Sequence, residues 1–301
     1  MSVRQQISSR GVRASLFRQA MQFRPFGLPW GAAIALVMLV LLVVVAFAAP
    51  VLAPYNPVKI SLADRMLPPA WVDGGSLDHI LGTDGFGRDL LSRLIYGARI
   101  SLTIAVFAVL SGGGIGALVG VVAGYKGGIV DIVLMRLVDI FMALPTILIA
   151  IVLAVALGPS FENLVIVISA LLWPNIARQI RGAALLVRQQ EYMQYAVSIG
   201  VPTWRLLLFH VLPNVTPTLF VALTLEVGAV ILTEASLGFL GAGVPPPTPS
   251  WGSIVSDGRA LIVTGWWIAL FPGIAIIITV LTFNTVGDWL RDRFDPRLKR
   301  R

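Results

Sequence analysis

Six apolar stretches without Asp, Glu, Lys or Arg decide this chain's class of fold. They run from Pro25 to Val58, Ile100 to Tyr125, Ile140 to Phe161, Asn163 to Ala177, Leu206 to Leu225, and Ala260 to Gly287. A helix that crosses a bilayer needs about 20 apolar residues. The fourth stretch is the shortest and contains Pro174; it either extends helically through Arg178 and Arg181 into the inner interface or fails to span. The fifth continues past Glu226 to Thr233. Only 13% of the 301 residues are charged and 57% are hydrophobic, whereas about 25% are charged in ordinary soluble domains. An all-α, polytopic membrane protein follows, built as one membrane domain.

Charge placement sets the parity of the spans. The N-terminal tail carries Arg4, Arg10, Arg13, Arg18 and Arg24, and the C-terminal tail Arg291, Arg293, Arg297, Lys299, Arg300 and Arg301. Basic residues stay on the inner side, so both tails are expected in the cytoplasm and the span number is even. Six spans fit, at about 28–53, 98–125, 132–158, 163–186, 206–240 and 261–287 of the sequence. This leaves a cytoplasmic tail at 1–27, a membrane domain at 28–301, an external segment at 54–97 and an inner polar region at 188–204. The turn "GPSFEN" and the loop "VPPPTPSWG" fall outside. The stretch Tyr55–Arg99 has five basic and five acidic side chains, and obeys the charge rule least well. The net charge of +8 then anchors the inner face to anionic lipid or partners, and nucleic-acid binding is not expected. "AFA" at Ala46–Ala48 mimics a signal-peptidase site, but its apolar run exceeds a signal core of about 7–15 residues. An uncleaved first span is expected.

The chemistry available is narrow. With no Cys there are no disulfides or thiolate sites. A phosphate-binding loop needs G-x-x-x-x-G-K-[ST], and Lys59, Lys126 and Lys299 lie in no such context. His79 and His210 are far apart and fall on opposite faces of the membrane, so no metal site is expected. A G-x-S-x-G elbow is missing. Neither catalysis nor a cofactor is expected in this chain.

Two patterns stand out inside the apolar frame. Gly112, Gly116, Gly120 and Gly124 recur every fourth residue, a strip that lets a neighbouring helix approach closely. The stretch "EYMQYAVSIGVPTWRLLLFHVLPN", 191–214, is polar between two spans. Gly200 suits the left-handed residue that ends a helix, and Pro202 sits where the next can start. Such an elbow either lies passively in the headgroup layer or acts as a lever gripped by a cytoplasmic motor.

The remaining charges carry expectations of their own. Asp84 with Arg88, and Asp89 with Arg93, have the i,i+4 spacing that supports a helix, so a solvated outer helix is expected, with binding-protein docking as the functional alternative. Arg136 and Asp139 are expected to pair with each other or with the inner polar region, and Pro145 to kink the third span. Glu226 and Glu234 are ionisable groups at membrane depth, where such residues face a cavity or a partner. They are separated by about 80° around a helix, so both can face one translocation path. Glu226 is the stronger candidate, and Glu234 in "TEASLGFLG" can be structural.

Residues 191–213 resemble the EAA loop of ABC importer permeases, whose pattern is E-A-A, three residues, G, nine residues, I-x-L-P. Gly200, Leu212 and Pro213 match in place; Gln194, Tyr195 and Ala196 occupy the opening triplet, and His210 stands where Ile is usual. "HILGTDGFGRDLLSRLIYGARISL", "MRLVDIFMALP", "PPPTPSWG" and "FNTVGDWLRDRFDPRLK" are similar to the C-type permease of dipeptide, oligopeptide and nickel importers. The resemblance implies a type I importer fold in a bacterial cytoplasmic (inner) membrane. It implies a homologous permease partner, two ATPases that supply ATP and Mg, and an external solute-binding protein. Glu191, Gln194, Tyr195, Ala196, Gly200, Leu212 and Pro213 would then couple to an ATPase. Peptides are the expected substrates, with nickel chelates, glutathione or opines as alternatives. A secondary transporter would need broken helices with paired charges in symmetric halves, and no such pairing is visible.

Overall fold

The computed structural model describes residues 29–294. The tail arginines from Arg4 to Arg24 and the basic residues beyond Phe294 lie outside them. Nine helices of eight or more residues carry the fold among the described residues. They are α1 (Trp30–Phe47), α2 (Leu90–Lys126), α3 (Gly128–Ala143), α4 (Thr146–Leu157), α5 (Phe161–Arg188), α6 (Glu191–Ser198), α7 (Thr203–Phe239), α8 (Trp251–Gly258) and α9 (Trp266–Phe294). Five of these are long and apolar enough to cross a membrane, and the bent pair α3–α4 makes a sixth span if counted as one.

The expected third span is therefore broken, not merely kinked. α3 and α4 meet at 91°. Pro145 has no N–H to continue the helix and disfavours a helical residue before it; Leu144 is accordingly extended at φ −91, ψ 143.

Helix α2 is the spine. Its 37 residues span about 55 Å at 1.5 Å per residue, longer than the hydrocarbon layer of about 30 Å. Asp89 caps its start, accepting from the Ser92 N–H at 2.7 Å, and Gly127 at φ +66 ends it. Along its middle, Gly112, Gly116, Gly120 and Gly124 face the backbone carbonyls of Ser169, Trp173, Ala177 and Arg181 on α5. Four-residue steps on both helices keep the two backbones in register. Hydrocarbon offers no hydrophobic drive between helices, so such close packing must hold them.

Helix α7 opens with a wide π turn at Leu206–Val211, just before Pro213. α7 also contains Pro217, α5 Pro174 and α9 Pro272. Segment 54–89 does not form the expected solvated helix. It folds on itself through Met66 N–H to Asp84 O at 3.1 Å and Thr83 N–H to Leu67 O at 3.0 Å.

Candidate functional site

The C-terminal ends of α2 and α5 and the start of α7 meet around the short helix α6. Its end forms a Schellman turn, with Gly200 N–H bonding Val197 O at 3.0 Å and Val201 N–H bonding Ala196 O at 3.1 Å. That pattern requires a left-handed residue, and Gly200 has φ +77. Pro202 is extended and caps the next helical turn. Met193 is buried and pins α6 to the bundle. Tyr192 is tied to α7, its hydroxyl accepting from Asn214 Nδ2 at 3.3 Å, with the His210 ring 6.2 Å away.

What remains of α6 faces outward. Tyr195 is 71% and Ile199 80% exposed, and Glu191 and Gln194 are also exposed. Ala196 and Leu212 are half-buried and Pro213 exposed. Beside the helix lies a cleft of about 520 Å³ lined by Tyr125, Lys126, Arg188, Met193, Gln194, Val197 and Thr203. Met193 and Asn214 escape sequence reasoning, because a lone Met or Asn carries no periodic signal.

Two ion pairs brace this end. Arg181 holds Asp131 through Nε at 2.5 Å and Nη2 at 2.6 Å, and Arg178 bonds Asp139. Asp139 thus pairs across to α5, not with Arg136 three residues away. Arg178 and Arg181 are consequently braces between helices.

The two membrane-depth glutamates do not share a cavity. Glu234 is fully buried; its Oε2 accepts from Ser101 Oγ at 2.9 Å, so it faces α2 rather than a path. Ser101 Oγ in turn accepts from the Trp251 N–H at 3.3 Å, which joins α7, α2 and α8. Glu226 is half-buried and has no hydrogen-bond or ion-pair partner among the described residues. The preceding residue, Leu225, borders a cleft of about 420 Å³ between α5, α7 and α9, with Gln179, Thr218 and Arg291 as its polar lining.

At the start of α2, Asp84, Arg88, Arg93 and Asp257 form one cluster. Arg88 does meet Asp84, at 2.7 Å, but Arg93 also turns to Asp84 while Asp89 caps α2 and meets His79 Nδ1 at 2.9 Å. These side chains are buried, with Asp257 alone substantially exposed. Among the described residues, no group of three His, Cys, Asp or Glu is placed to hold a metal.

Residues 116–300 match the family of binding-protein-dependent transport system inner membrane components. Residues 29–69 match the N-terminal TM domain of oligopeptide transport permease C. The dipeptide transport system permease protein of Escherichia coli is 42% identical over 269 residues, 89% of this chain and 90% of its own. The di/tripeptide transport system permease protein of Pseudomonas aeruginosa is 41% identical, covering 89% of each chain. A chain of the methionine ABC transporter MetNI, in an inward-facing form, superposes with a TM-score of 0.57 at 20% identity. That match covers 68% of this chain and 98% of the other, and it shows the fold. The chain belongs to the binding-protein-dependent transport system inner membrane components, as a C-type permease subunit of an ABC importer.

Proposed function

We propose that this chain forms half of the membrane path of a di- or oligopeptide importer. A homologous permease would supply the other half, two cytoplasmic ATPases the driving force, and an external solute-binding protein the substrate. Both termini would lie in the cytoplasm. Helix α6 is the lever: Met193 and Tyr192 fasten it to the bundle while Tyr195 and Ile199 stand free for an ATPase. Motion at α6 would pass directly into α5 and α7, which flank it in the chain. This exposed yet rigidly seated elbow is the observation that carries the reading. The peptide substrate rests on what the relatives are named for.

The test is purification of the complex from membranes, followed by reconstitution with the binding protein. Co-purifying ATPase chains and ATP-dependent uptake of a labelled dipeptide are expected. Uptake driven by an ion gradient without ATP would overturn the importer reading. Uptake of a nickel chelate, glutathione or an opine, with none of peptide, would overturn only the substrate.

A further inference from the structure

The outer ion-pair cluster has an uneven construction. Asp84 is held from four sides. Its Oδ1 accepts from the N–H of Phe86 at 2.8 Å and of Arg88 at 3.0 Å. Its Oδ2 accepts from Arg88 Nε at 2.7 Å and from Arg93 Nη1. Among the described residues, Asp257 is held only by Arg88 Nη2 and Arg93 Nη1, each at 3.0 Å. The side chains of Asp84 and Arg93 are 1% and 3% exposed, whereas Asp257 is 37% exposed. Two guanidinium groups thus balance two carboxylates, and one of the carboxylates sits on a different element, α8.

Helix α8 is a wedge. A Cβ on Gly97 of α2 would lie 2.9 Å from the Trp251 ring, and one on Gly252 would lie 2.7 Å from the Ala235 backbone of α7. A Cβ on Gly258 would lie 2.8 Å from the Ala269 nitrogen of α9. The Trp251 Nε1–H also bonds Leu94 O at 3.0 Å. A displacement of α8 therefore moves the outer ends of α7 and α9. On the other side of the cluster, the external segment folds around Asp84 and Thr83, and Trp267 Nε1–H bonds Thr83 O at 3.0 Å.

We propose that Asp257 is a positioning residue for transport: its shared bond to Arg88 and Arg93 latches α8 to the external segment, so that docking of a solute-binding protein on that segment reaches α7 and α9. The inference rests on the importer reading above. If α8 shifts, Asp257 leaves two buried guanidinium groups to share one carboxylate, an imbalance that buried ion pairs tolerate poorly. The bonded position is therefore the favoured one, and docking shifts α8 only as far as the binding protein prefers another position.

The experiment uses the complete importer in lipid nanodiscs and compares the parent with Asp257→Asn and Asp257→Glu. ATP hydrolysis is measured with and without the loaded binding protein. A parent that shows no stimulation would defeat the importer reading itself. With a responsive parent, Asp257→Asn is expected to lose the response several-fold, while Asp257→Glu keeps most of it. An unchanged response in Asp257→Asn overturns the latch, as does an equal loss in both variants, because charge is then not the operative feature. A second measurement needs no purified complex. Ile254 of α8 is fully buried, and in this Cys-free chain an Ile254→Cys thiol should react faster in membranes when Asp257→Asn is added. Unchanged reactivity overturns the latch as well.

Discussion

Gly116 of α2 and Trp173 of α5 lie so close that a Cβ on the glycine would sit 2.5 Å from the tryptophan carbonyl oxygen. A carbonyl in a helix cannot swing aside as a flexible side chain can. Gly116→Leu should therefore force the helices apart at a cost of about 1–3 kcal/mol, the usual range for overpacking. Two residues away, a Cβ on Gly114 would meet nothing within 4 Å. Gly114→Ala should be neutral or stabilising by about 0.5–1 kcal/mol, since alanine loses less backbone entropy in a helix. Thermal unfolding of the detergent-purified complex checks both. Equal destabilisation by the two variants would contradict the packing argument.

Gly200 isolates backbone conformation from packing, because φ is +77 while a Cβ there would meet nothing within 4 Å. Gly200→Val places a β-branched residue in a region that L-residues avoid by about 1–2 kcal/mol. The Schellman turn should then reorganise, with subunits still in the membrane and peptide uptake largely lost. Gly200→Asn is the control, since Asn enters the left-handed region far more readily, and it should keep most uptake. Full uptake by the valine variant would favour a passive elbow.

Topology can be read with single thiols in a chain that has none. Leu77 lies in the segment expected to be external and is 86% exposed, and Tyr195 on α6 is 71% exposed. A Leu77→Cys label should react with an impermeant maleimide in intact cells, and a Tyr195→Cys label only after permeabilisation. The reverse pattern would invert the proposed orientation.

Much of the frame is legible in the sequence, because a bilayer punishes exposed backbone and charge over lengths of about 20 residues. The glycine strip is legible for the same reason: its four-residue repeat is a property of one helix. What the sequence does not disclose are pairings between helices. Asp139 chooses Arg178 over Arg136, and Arg93 reaches Asp84 and Asp257, because tertiary packing overrides i,i+3 and i,i+4 proximity. The break before Pro145 is visible as a proline, but its 91° angle depends on what α3 and α4 pack against. Glu226 and Glu234 have the angular separation that helix geometry gives them. Their fates differ because Ser101 on another helix meets only one.

That difference directs the last prediction to Glu226. It lies eight residues before the fully buried Glu234 on α7, yet it is half-buried and meets no donor among the described residues. A carboxylate at membrane depth is costly unless water, a cation or a donor reaches it. Its neighbour Leu225 borders the cleft between α5, α7 and α9, where a path through the bundle would supply water. If Glu226 faces that path in its ionised form, it favours substrates that carry an ammonium group and disfavours anionic ones. Glu226→Gln keeps the size and hydrogen-bonding capacity and removes only the charge. Uptake of a lysine-containing dipeptide should then fall several-fold relative to a neutral dipeptide, with assembly of the complex unchanged. Glu234→Gln, by contrast, alters a buried bond to Ser101 and should lower the yield of folded complex without changing the ratio between substrates. A constant ratio in Glu226→Gln across cationic, neutral and anionic peptides would remove Glu226 from the path.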